Sequence, residues 1–139
     1  MQAFDLTETA RLVGMKFAKA KNWTVDRPFT IPASAYQGGR GSMNLYSIED
    51  VYLMAVANEF SKTGFAAAAI GKLVESLRPK YPDLRQAPVL TVWRLKPGGK
   101  FEISESSKDP DASIWVRLDV PRICKEINDR VKKRSQRKS

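Results

Sequence analysis

Apolar residues recur at helical spacing through the first half of the chain and alternate with polar ones through much of the second. Leu6, Ala10 and Val13 share one side of a short helix, Thr7 is able to cap its first turn, and Gly14 stops it. A second helical stretch runs from about Phe17 to Trp23. Ser47 is a good N-cap for a third helix, with Glu49 and Asp50 well placed for the helix dipole. Val51, Met54, Ala55 and Phe60 then form an apolar stripe that ends at Thr63–Gly64. A fourth helix, from about Ala66 to Leu77, places Ile70, Leu73, Val74 and Leu77 on one side. It is expected to end before Pro79, because the residue preceding a proline resists the α region.

The segment Arg78–Pro88 (RPKYPDLRQAP) holds three prolines and no apolar period, and reads as a linker. Beyond it Val89–Leu95 is a strand candidate, followed by the turn Lys96-Pro-Gly-Gly99. Phe101 and Ile103 alternate with Glu102 and Ser104 as in a half-buried strand, and Ile114–Leu118 makes a third. Pro121 suits the first position of a last helix, which Ile123, Ile127 and Val131 continue, with the end from Lys132 expected to fray. The pattern as a whole predicts an α+β fold. It divides into a helical unit at 1–78, a proline-rich linker at 79–88 and a ββ-β-α module at 89–139.

Charge narrows the choice of partners. Lys and Arg number 24 against 15 Asp and Glu, a net +9 on 139 residues, which favours a polyanion. Residues 1–85 carry 11 basic and 8 acidic side chains (net +3), and residues 86–139 carry 13 and 7 (net +6). The absence of histidine removes the usual general base and the commonest metal ligand, and no nucleophile–base pair stands out. An enzyme is therefore not expected, nor a cofactor or metal. Cys124, the single cysteine, falls on the apolar side of the last helix and reads as a buried structural thiol. The apolar run Phe65–Ile70 is too short to cross a bilayer, and the opening MQAFDLTETARL lacks the pattern of a signal peptide. These features lead to the expectation of a cytoplasmic protein with no membrane partner.

The second helix carries the candidate chemistry. At 100° per residue Phe17, Ala18, Lys21 and Asn22 fall on one face, while Met15, Ala20 and Trp23 are able to pack inward. That outward set suits a major groove: Asn takes adenine bidentately, Lys reaches guanine acceptors or phosphate, and apolar groups meet the thymine methyl. Lys16 and Lys19 flank it as phosphate contacts. The connection to Tyr46 contains Gly38-Gly-Arg-Gly41, suited to the tip of a β-hairpin wing that brings Arg40 to the backbone or a narrow minor groove. By spacing alone, a solvated basic helix and an ordinary flexible loop fit these two stretches as well.

The order of parts resembles the DNA-binding domain of MerR-type transcriptional regulators. The matching residues are Leu6-Thr-Glu-Thr-Ala-Arg-Leu-Val-Gly14, then Tyr46-Ser-Ile-Glu-Asp-Val51, then Lys62-Thr-Gly-Phe65 continuing to Ile70-Gly-Lys-Leu73. The resemblance covers residues 4–78 and implies a winged helix-turn-helix of four short helices plus a wing. The family's Arg-Tyr-Tyr late in the recognition helix falls on Lys21-Asn22-Trp23: Lys21 keeps the charge, Trp23 keeps an aromatic N–H donor, and Asn22 departs. The wing arginine, two residues before Tyr46, falls on Asn44, so Arg40 or Arg27 takes its role. The implied DNA-binding set is Lys16, Phe17, Ala18, Lys19, Lys21, Asn22, Trp23, Arg27, Arg40, Asn44 and Tyr46.

Members of the family dimerise through one long antiparallel helix, whereas this chain breaks at Pro79, Pro82 and Pro88 and turns to strands. Residues 89–139 are therefore expected to form an oligomerisation or partner-binding module, with Ile123, Ile127 and Val131 pairing across a two-fold axis. Trp93 and Trp115 are expected as core or interface anchors, and the basic tail Lys132–Lys138 either adds phosphate affinity or solubilises the end. The expected function is a sequence-specific regulator of transcription. Its partners would be double-stranded DNA, a second copy of the chain and RNA polymerase. A protein-interaction adaptor and an excisionase-like architectural factor on the same winged fold are the alternatives.

Overall fold

The computed structural model describes residues 3–24, 35–36, 44–63, 67–93, 102–105 and 115–138. The first part holds β1 (Ala3–Phe4), α1 (Leu6–Val13), α2 (Phe17–Thr24), β2 (Ala35–Tyr36), β3 (Asn44–Ser47), α3 (Ile48–Ser61) and α4 (Ala67–Lys80). A turn of 3-10 helix (Leu84–Gln86), β4 (Leu90–Trp93), β5 (Glu102–Ser104), β6 (Trp115–Leu118) and α5 (Val120–Lys138) follow. The fold is α+β, with two antiparallel three-stranded sheets ordered β1-β3-β2 and β5-β4-β6.

Local chemistry sets the ends of the helices. Asp5, and not Thr7, caps α1: its extended backbone lets Oδ1 accept the Glu8 amide at 2.8 Å. Gly14 closes α1 at φ +82°, and the amides of Gly14 and Met15 both bond the Ala10 carbonyl, at 2.9 and 3.0 Å. Ser47 and Asp50 form a reciprocal capping box at the start of α3. β1 was not foreseen; it pairs with β3, setting Phe4 opposite Tyr46, and both side chains are fully buried.

Helix α3 is the axis of the molecule. Every residue from Asp50 to Asn58 is buried, so it is enclosed rather than amphipathic. α1, α4, α5, β6 and the 3-10 turn all pack against it.

Four expectations are corrected. Helix α4 runs through Pro79 to Lys80. The amide that Pro79 lacks would have bonded the carbonyl of Glu75, whose residue is exposed, and the Tyr81 amide still reaches Leu77 at 2.8 Å. The stretch 79–88 is not a free linker: Leu84 is 4% exposed, Ala87 is buried, and the 3-10 turn packs on α5. Pro121 is the second residue of α5, after Val120. That helix continues past Lys132 to Lys138, held by buried Val131 and an ion pair from Arg134 to Glu8.

A single apolar core joins the two expected units. Val13, Val56, Leu73, Leu90, Val92 and Ile127 belong to one cluster. Ile123, Ile127 and Val131 are therefore spent inside the chain, with α5 packed on α3, and the dimer expected through that stripe has no surface there. Cys124 is buried, as expected, at 3% exposure. Among the described residues no helix is long and apolar enough to cross a membrane.

Candidate nucleic-acid interface

Helix α2 is delivered by the Gly14 turn and presents a sharply divided circumference. Ala20, Trp23 and Thr24 are buried, and Met15 packs partly on the core. Lys16, Phe17, Ala18 and Lys21 are exposed, and Asn22 is half-buried beside them. Phe17 is 49% exposed, a large apolar side chain in water between two lysines. The outward set from spacing is therefore brought together on one face, with Lys16 at its edge.

Three of the other expected residues are placed differently. The Lys19 ammonium donates to Asn58 Oδ1 at 3.0 Å and to Ser61 Oγ at 2.9 Å, and lies 4.8 Å from the centre of the Trp23 ring. Burial, and then the charge of Lys62, lower its pKa, so this lysine fastens α2 to α3 instead of facing a phosphate. Trp23 is 8% exposed and serves as the floor of that contact. Tyr46 has no exposed surface, and its buried hydroxyl finds no hydrogen-bond partner among the described residues, so it cannot touch a ligand from its place in the core. For Lys19 and Trp23 the reason is that spacing shows which residues lie on a face but the packing of α3 decides how wide the buried sector is, while Tyr46 is covered by the pairing of β1 with β3.

The wing stands in part within the described residues. β2 and β3 pair antiparallel, with Ala35 opposite Leu45 and Tyr36 opposite Asn44, so Asn44 sits at the register position closest to residues 37–43. Arg27, Arg40 and the Gly38–Gly41 stretch lie outside the described residues.

A second cationic surface lies along α5, where the sequence pattern suggests only a frayed end. Arg130 of α5 donates from Nη1 to the Leu12 carbonyl at 2.6 Å, filling an acceptor that the end of α1 leaves open. Arg134 pairs with Glu8, and its guanidinium stands 5.1 Å from the centre of the Phe4 ring. α5 thus runs antiparallel to α1, from the Gly14 turn back to the helix start. The clue was available: 130, 133, 134 and 137 are all basic at i, i+3, i+4 and i+7.

The hollow beside the capping box, about 330 Å³, is lined by Asp50, Leu53, Arg78, Tyr81 and Leu84. Of its two carboxylates, Glu49 and Asp50, the second is committed to the Ser47 amide at 3.1 Å and to Arg78 at 3.4 Å. Compared with known proteins, the chain matches no family model and no curated protein.

Proposed function

We propose that this chain binds double-stranded DNA and reads its sequence with helix α2, as a regulator of transcription built on a winged helix-turn-helix. The carrying observation is the exposed face of α2, on which Phe17 and Ala18 stand between Lys16 and Lys21 while Ala20 and Trp23 anchor the other side. A half-exposed Phe is costly to leave in water, and an apolar contact flanked by cations is what thymine methyls and flanking phosphates reward. The helix is stiffly held, by the Gly14 turn at one end and by Lys19 on α3 along its side, so its face is presented without an ordering cost. The antiparallel β2–β3 pair supports the wing of that reading, and the net charge of +9 supports a polyanion.

Selection from a randomised duplex library at two salt concentrations tests this. A conserved core sequence is expected, with affinity falling steeply as salt rises. Lys21→Ala should weaken binding to every sequence, whereas Asn22→Ala should relax preference at one base pair by about 1–3 kcal/mol. Salt-steep binding without an enriched sequence would make the chain an architectural factor, and no binding to duplex DNA would overturn the proposal.

A further inference from the structure

We infer that the groove between α1 and α5 is a second phosphate-binding surface, which grips the backbone of the same duplex beside the stretch that α2 reads. The inference rests on the DNA-binding reading above. The groove encloses about 680 Å³ and is bordered by Asp5, Glu8, Arg11, Arg130, Lys133 and Arg134. Four cations therefore face two carboxylates, and both carboxylates are engaged. Asp5 Oδ1 accepts the Glu8 amide at 2.8 Å, and Glu8 pairs with Arg134. Arg130 is held on the Leu12 carbonyl at 2.6 Å. Arg11 and Lys133 are both exposed and make no ion pair or hydrogen bond among the described residues.

Two uncommitted cations on the rim of a groove are suited to a pair of phosphates, and the engaged pairs beneath them keep the rim in place. Position selects the duplex as the occupant. Arg130 reaches the carbonyl of Leu12, and its Nη1 lies 3.7 Å from where a side chain on Gly14 would begin. The groove therefore starts beside the turn that delivers Lys16 and Phe17, which places it next to the start of α2. From there α5 carries the charge away from the turn along α1. The helix is regular there, so Arg130, Lys133 and Arg134 keep a fixed spacing along α1 that a frayed tail would not have.

The test is the salt dependence of duplex binding by the full chain, measured by fluorescence anisotropy with the selected sequence in a long and a short duplex. The double variant Arg11→Gln/Lys133→Gln alters two exposed side chains and leaves every packed contact named above. Each phosphate contact contributes about 0.9 to the slope of log affinity against log salt, so the double variant should lower the slope by roughly 2 on the long duplex. It should change little on a duplex trimmed to the stretch under α2. Lys125→Gln, on the same helix but outside the groove, should leave the slope unchanged. A double variant with the wild-type slope, or one that weakens both duplexes alike, would overturn the inference while leaving α2 as the reader. Failure of the unaltered chain to bind any duplex would instead remove the reading on which it rests.

Discussion

Removing the Arg130 side chain should loosen the packing of α5 on α1 without touching the apolar core. Its Nη1 donates to the Leu12 carbonyl at 2.6 Å across 118 residues of sequence. That carbonyl belongs to the last turn of α1, where the amides of Gly14 and Met15 both go to Ala10 and leave Leu12 without an intrahelical donor. A hydrogen bond from a charged donor contributes about 1.5–3 kcal/mol when shielded. Arg130 is an exposed residue, so the lower end applies, and Arg130→Ala should cost about 1–2 kcal/mol. For a chain of 139 residues the unfolding entropy makes each kcal/mol worth about 3–4 °C in Tm. A loss of about 5 °C is therefore expected, read by circular dichroism against temperature, together with a lower urea midpoint at unchanged slope. Arg130→Lys should recover part of it by keeping the charge near the helix end. A Tm within 1 °C of the wild type would refute the reasoning, since it would mean that water replaces the guanidinium at no cost.

Other expectations are more local. Gly14→Ala should cost about 1–2 kcal/mol from backbone alone, because φ is +82° while the nearest atom to the new Cβ, Arg130 Nη1, is at a comfortable 3.7 Å; chemical denaturation measures it. Tyr46→Phe removes a buried hydroxyl that has no partner among the described residues, so stability should hold or rise by up to about 1 kcal/mol and duplex affinity should not change. A drop in affinity with intact folding would return Tyr46 to the interface. Cys124 is buried, and desolvation pushes its thiol up from 9.0 to about 11. At pH 8 its thiolate fraction should be about a hundredfold below that of an unhindered thiol, so a chromogenic disulfide reagent should label it only after denaturation. Because the folded state holds this proton longer, the unfolded chain releases it first, and the thiol's contribution to stability should decline as pH rises from about 9 to about 11, a decline absent in Cys124→Ala.

The helices were legible because their start and stop residues act locally. Ser47 with Asp50, Gly14, and the apolar periods of α3 and α4 carry their meaning within four or five residues, which is the range of a helix hydrogen bond. The strand runs that became β4 and β6 were legible as short apolar stretches, and so was the outward set Phe17, Ala18 and Lys21, since a helical period fixes relative direction whatever the partner. What lay beyond reach depends on contacts distant in the chain. Lys19 looks like a phosphate ligand until Asn58 and Ser61 claim its ammonium, and Tyr46 looks like one until β1 covers it with Phe4. Pro79, Pro82 and Pro88 suggest a linker because proline punctuates locally, yet Leu84 and Ala87 between them find a core to enter. The stripe Ile123, Ile127 and Val131 announces that it will be buried, but not whether a second chain or α3 buries it. Sequence alone therefore determined most of the helices, the outward face of α2 and the cationic character. Tertiary structure decided which faces meet, because the free energy of burial depends on area removed from water and carries no label for the partner that removes it.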